Sequence, residues 1–283
     1  TPSVINVFHI ERYQTRNFID GYGVARGLYS FSIKNALLVS LLWKIVYKAL
    51  RRADIIISPS ESTTRDIMSL GIRRDKIYTI PLGIEHEKPA YAPKDLVNKD
   101  LDCIYVGRLS SNKGIYEALL AWFLVTKKIP NAKMAIVDGE VSRDLSEFVS
   151  RKGLTNTVLF YGHLSRRELS ETLYRSKLLV LPSHTEGFCF TLGMGILHHV
   201  PCVAYDIPVV REVYGFLDSV KLVVEGDVGA LSKTILEMLP DEKRPFNKGD
   251  LENDRIKLLN RYSWHTTANS TTRLLSVIRA RES

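Results

Sequence analysis

Cysteine is scarce: Cys103, Cys189 and Cys202 are the only three in 283 residues, too few and too scattered for a disulfide framework or a cysteine zinc site. An odd count in apolar surroundings points to reduced, buried thiols and a cytoplasmic compartment. Long hydrophobic runs are missing as well. The densest, Ala36 to Trp43, is interrupted by Ser40 and closed by Lys44, far short of the roughly 20 residues a membrane-spanning helix needs. No GxxxxGK[ST] loop and no GxGxxG fingerprint occurs, nor any internal repeat or low-complexity tract. What remains is ordinary for a folded protein, with 45% hydrophobic and 25% charged residues, and length for about two domains but not three.

The charge is uneven. Thirty-nine basic against thirty-one acidic residues give +8, and residues 1 to 52 hold eight basic side chains against only Glu11 and Asp20. Such a patch attracts a phosphorylated ligand, an acidic lipid surface or nucleic acid, although a solvated basic face has the same composition. Nucleic acid is not expected, because the cluster lacks interleaved aromatics and a reader motif. Between Ser32 and Arg52, Leu38, Leu41, Leu42, Ile45 and Val46 fall near one helical face and Lys34, Lys44, Lys48, Arg51 and Arg52 around the rest. A helix of this kind either lies on an anionic membrane or forms the charged outer face of a core helix.

Short apolar runs alternate with stretches of helical spacing, the pattern of an α/β protein with parallel sheets. Strands are expected at Val4 to Phe8, Ile55 to Ser58, Ile77 to Ile80, Cys103 to Val106, Lys133 to Val137, Val158 to Tyr161, Leu178 to Leu181, Pro201 to Tyr205 and Lys221 to Val224. Ser60 caps a helix that Gly71 stops, Gly114 to Lys127 forms another, and Ser165 with Glu168 is a capping box. Residues 86 to 100, with two prolines and no apolar period, read as a linker. The expected units are 1–95, 96–253 and a closing helix pair over 254–283.

Two segments carry chemistry. In Tyr105-Val106-Gly107-Arg108-Leu109 followed by Lys113-Gly114, a strand ends in glycine, a helix N-terminus follows, and two cations lie between them. That is a cradle for a diphosphate, or else surface charges near a turn. In Leu181-Pro182-Ser183-His184-Thr185-Glu186-Gly187-Phe188, Glu186 stands at the carboxyl end of a parallel strand. There it can accept hydrogen bonds from sugar hydroxyls, or it simply satisfies a helix dipole.

The order of Gly83, VGRL with Lys113-Gly114, Asp138-Gly139, FYGHLSRREL at 160–169, LPSHTEGF at 181–188, VPCVAYDIP at 200–208 and YSWH at 262–265 closely resembles the retaining GT-B glycosyltransferases of family 4, over nearly the whole chain. The resemblance implies two Rossmann-like domains and transfer of a sugar from a nucleotide-activated donor to an acceptor hydroxyl on a glycan, a lipid or a lipid-linked sugar, with retention and without metal or other cofactor. Arg108 and Lys113 match the basic pair that holds the leaving diphosphate, and Glu186 the first carboxylate of the E-x7-E motif. His9 matches a strand-end histidine near the donor sugar. Gly107, Gly139, Gly187 and Phe188 fall on the donor-binding loops, and Gly162 and His163 on the region lining the base. The helix with Tyr262 and Trp264 matches the segment that returns to the N-terminal domain.

Two departures stand out. The second glutamate of that motif, which contacts the ribose, is replaced by Met194, and a thioether cannot accept two strong hydrogen bonds from a diol. The helix end is therefore reshaped for another nucleotide, or donor binding is weakened; a non-catalytic nucleotide-sugar-binding subunit is the alternative reading. Gly193 and Gly195 on either side are expected to cost the helix roughly 1 kcal/mol each. In addition, only about 100 residues precede the second domain, so the resemblance implies an N-terminal domain lacking roughly its first half.

Overall fold

The computed structural model describes residues 3–7, 44–84, 99–239 and 246–282. Contacts divide the chain into two compact units, one running to Gly83 and taken up again at Trp264, the other spanning Ile84–Ser263. These borders differ from the expected 95/96 and 253/254. The helix Lys248–Arg261 belongs with the second unit, and the return to the first begins at Trp264.

The first unit holds a parallel sheet of β1 (Val4–Asn6), β2 (Ile55–Ser58) and β3 (Ile77–Thr79), in that order. A helix described over 44–52, α1, precedes β2. The helix α2 (Glu61–Ser69) begins at Ser60, whose hydroxyl accepts the Thr63 N–H at 3.0 Å, and ends before Gly71 at φ +80°. Leu50, Ala53, Ile56, Ile67, Ile72 and Ile77 form one small core, and Ile55, Ile80 and Leu274 another.

The second unit is a six-stranded, wholly parallel sheet. Its strands are β4 (Leu101–Val106), β5 (Met134–Val137), β6 (Val158–Gly162), β7 (Ser176–Leu181), β8 (Cys202–Tyr205) and β9 (Val220–Val223), arranged β6-β5-β4-β7-β8-β9. Its helices are α3 (Ile115–Thr126), α4 (Arg143–Arg151), α5 (Arg166–Tyr174), α6 (Phe190–Leu197), α7 (Pro208–Tyr214), α8 (Val228–Met238) and α9 (Lys248–Arg261). The last helix, α10 (Trp264–Glu282), lies in the first unit.

Numbered within this unit, the strand order is 3-2-1-4-5-6, the doubly wound order in which ligands bind where the winding reverses. The reversal falls between β4 and β7. All four β5 residues are buried, as are Trp122, Tyr105, Tyr205 and Tyr214. The three cysteines are buried and form no disulfide. The expected strands all form, with ends moved by a residue or two, except that Phe8 lies outside the described residues.

Candidate functional site

The carboxyl ends of β4 and β7 bring the two chemical segments together. Gly107 leaves β4 at φ +155°, and the following loop closes in a 3-10 turn, Ser111–Lys113, ending at Gly114 with φ +70°. A Cβ on Gly114 would lie 1.9 Å from the Pro182 carbonyl oxygen, so only glycine lets the loop after β4 touch the loop after β7. The contact is reinforced by the Ser183 hydroxyl and the His184 N–H, which donate to the Asn112 carbonyl at 3.2 and 3.0 Å. The buried Tyr105 hydroxyl lies 2.9 Å from the Arg108 carbonyl and 3.1 Å from that of Lys113, sharing its proton between both ends of the loop. Burial pushes its pKa far up, so it stays a donor.

Lys113 and Glu186 meet here as an ion pair of 2.7 Å, their side chains 18% and 10% exposed. An ammonium has three donors, and Glu186 takes one. Arg108, five residues before Lys113, is exposed. The helices on both sides begin without a side-chain cap: α3 after Gly114, α6 after Cys189, itself at φ +64°. By contrast α2, α4, α5, α8 and α9 are capped by Ser60, Ser142, Ser165, Asp227 and Asn247; α7 has no cap but starts with proline. Uncapped helix N-termini leave their first N–H groups and positive dipole ends unmatched by a side chain, an arrangement that favours negative charge, and Lys113 adds a cation between them.

The other expected residues take varied places. Gly139, at φ +77°, would bring a Cβ to 3.3 Å from the Leu109 side chain, and Gly162 has φ +63°. His163 Nδ1 lies 2.7 Å from Asp138 Oδ1, and the Asp138 N–H donates to the Gly162 carbonyl at 2.9 Å, joining the ends of β5 and β6. Gly187 follows Glu186, but the Phe188 ring turns into the core, 3% exposed, edge-on to Tyr262 at 5.3 Å. Met194 is half-buried in α6, and its carbonyl accepts from the His198 ring at 2.7 Å. His9 lies outside the described residues, as do residues 32–43 of the expected basic helix.

The glycines beside Met194 have a tertiary reason that helix propensity does not convey. A Cβ on Gly193 would stand 3.1 Å from Ile84, and one on Gly195 2.8 Å from the Cys202 sulfur and 3.2 Å from Leu179. Gly195 lets α6 lie close against β7 and β8, and Gly193 lets it lie close against Ile84 and the Tyr214 hydroxyl of α7.

One cluster has no counterpart among the expected residues. His184 Nδ1 is 2.8 Å from Glu225 Oε1 and its Nε2 3.3 Å from Glu117 Oε1. Glu117 reads in sequence as a first-turn dipole residue and Glu225 as one of several turn acids; nothing local links either to His184.

The family model for glycosyl transferases group 1 matches residues 88–250, more than half the chain. The chain belongs to this family. A second model, Glycosyltransferase Family 4, matches residues 17–88. Among curated relatives of this group 1 chain, the glycogen synthase of Mycobacterium tuberculosis is 25% identical over 223 residues, covering 78% of this chain and 53% of that protein. The capsular polysaccharide glycosyltransferase CapM of Staphylococcus aureus is 25% identical over 233 residues, covering 75% and 58%. The chain thus spans about half the length of the curated relatives it matches. Among solved structures, Anabaena HepE in complex with UDP-glucose superposes with a TM-score of 0.74 at 19% identity, over 98% of this chain and 72% of that one. S. aureus TarM, bound to fondaparinux, α-GlcNAc-glycerol and UDP, gives 0.73 at 18%, over 96% and 50%. At such identities the likeness establishes the fold, which is GT-B.

Proposed function

We propose that this group 1 chain binds a nucleoside diphosphate sugar at the β4/β7 edge and takes part in transferring the sugar, with retention, to an acceptor hydroxyl. The observation that carries the reading is the pair of uncapped helices α3 and α6 facing the edge where Lys113 and Glu186 meet. The diphosphate lies across their N-termini, and Lys113 and Arg108 neutralise the charge that builds as it leaves. This is preorganised electrostatic stabilisation, and the proposed reaction calls on no metal. Glu186 keeps Lys113 aimed at the edge and accepts hydrogen bonds from the transferred sugar. Retention rests on the order of motifs. The acceptor class, a glycan, lipid or lipid-linked sugar, draws support from TarM, whose crystals hold α-GlcNAc-glycerol beside UDP.

The test is calorimetric titration of UDP, GDP, ADP and their sugar conjugates into the wild-type protein and an Arg108→Ala/Lys113→Ala variant. Each charged hydrogen bond removed weakens the preferred nucleotide by about 1.5 to 3 kcal/mol. Equal affinity in the two proteins overturns the diphosphate site. The anomeric configuration of a transferred sugar, read by NMR, tests retention separately.

A further inference from the structure

We propose that His184 is a positioning residue of the nucleotide site: as an imidazolium it ties the loop after β7 to helix α3 and to the turn after β9, and so keeps Lys113 and Glu186 in register. The inference rests on the reading of the β4/β7 edge as the donor site, and it concerns a side chain outside the donor contacts just assigned.

The geometry is that of a cation held by two acids. The His184 side chain is 8% exposed, with Nδ1 on Glu225 of the turn after β9 and Nε2 on Glu117 of α3. A neutral imidazole has one N–H and one lone pair, so one carboxylate would face a lone pair; only the doubly protonated ring satisfies both. The Tyr205 ring of β8 packs at 5.3 Å between centroids, and the Lys113–Glu186 pair stands on the adjoining loops. Burial lowers the pKa of the ring, but hydrogen bonds and charge from Glu117 and Glu225 outweigh it and lift the value to about 9.

The ring sits where its hold reaches the site from both sides. The backbone N–H of the same residue donates to the carbonyl of Asn112, the residue before Lys113, and Glu186 stands two residues after His184. Glu117 lies in the first turn of α3, the helix whose N-terminus faces the diphosphate. Its Oε2 is buried with no hydrogen-bond partner among the described residues. Without the imidazolium, Glu117 would be left as an uncompensated carboxylate beside an incoming dianion. The proton on His184 therefore fixes the loops and cancels a repulsive charge. Because the folded-state pKa is raised from 6.5 to about 9, the stabilisation is complete below 6.5 and is lost as pH rises through 9.

The experiment combines spectra of isotope-labelled histidine, hydrogen exchange and titration of UDP, GDP and ADP on wild type and His184→Gln. In the wild type both ring nitrogens are expected to carry protons at neutral pH, and the affinity for whichever nucleotide binds falls as pH passes about 9. In His184→Gln the amides of residues 183–188 exchange faster, affinity at neutral pH drops roughly ten- to hundredfold, and the alkaline limb disappears. Adding Glu117→Gln to that variant removes the stranded charge and recovers part of the affinity, a rescue that loss of packing alone would not give. A wild-type ring with one proton at neutral pH, or affinity that stays flat beyond pH 9, overturns the proposal even if the variant folds poorly. Should no nucleotide bind the wild type, the donor-site reading fails, while the histidine spectra and the exchange of residues 183–188 still decide the role of His184.

Discussion

Gly114 shows how much of the site hangs on the absence of one methyl group. Its φ of +70° already disfavours any residue with a side chain, and a Cβ there would collide with the Pro182 carbonyl oxygen and carbon, at 1.9 and 2.7 Å. Backbone cannot swing aside as a side-chain tip can, so the loops after β4 and β7 would have to part. Gly114→Ala is expected to destabilise the second unit by more than about 2 kcal/mol, since left-handed strain alone contributes 1 to 2. Urea unfolding measures this, and an unchanged midpoint would mean the loops do not touch. At this scale the sequence was partly legible. Gly107, Lys113 and Glu186 stood out because glycine, charge and strand end coincide within a few residues. Glu117 and Glu225 did not, because their partner is reached only when three crossovers fold onto one edge. The place of the Phe188 ring was not legible either: it follows the polar run His184-Thr185-Glu186, and only the fold shows it packed in the core against Tyr262.

Among the elements, α6 separates propensity from packing most clearly. A glycine in a helix interior is worth about 1 kcal/mol less than alanine, which by itself predicts that Gly195→Ala stabilises the protein. The added Cβ, however, would meet the Cys202 sulfur at 2.8 Å and Leu179 at 3.2 Å, and overpacking of a tight core costs about 1 to 3 kcal/mol. Packing is expected to win, with a lower melting temperature for Gly195→Ala; a higher one would mean the helix has room to shift. The elements themselves were readable because strand runs such as Ile55 to Ser58 are short, apolar and bounded, and because Ser60 and Ser165 cap as their spacing demands. The uncapped starts of α3 and α6 were harder to see, since a missing cap counts as a signal only when neighbouring helices are known to have theirs.

On the scale of the whole molecule, the two units divide the chemistry. The described part of α1, in the first unit, exposes Ile45 at 58% and Val46 at 46%, beside exposed Lys44, Lys48, Arg51 and Arg52, while Leu50 is buried in the core. No helix among the described residues is long and apolar enough to cross a membrane, but such a surface can lie on an anionic one. We propose that it does, each basic side chain contributing about 1 kcal/mol near the lipid. Vesicle flotation should then require acidic lipid and weaken with salt, and flotation indifferent to both would leave α1 as a plain outer helix. The buried cysteines have a different consequence. Cys103, Cys189 and Cys202 all lie in the second unit and none in the first, and burial holds each as an unreactive thiol. The chain thus carries its own clock for one of its units: alkylation advances only when the second unit opens, and it is silent about any opening confined to the first.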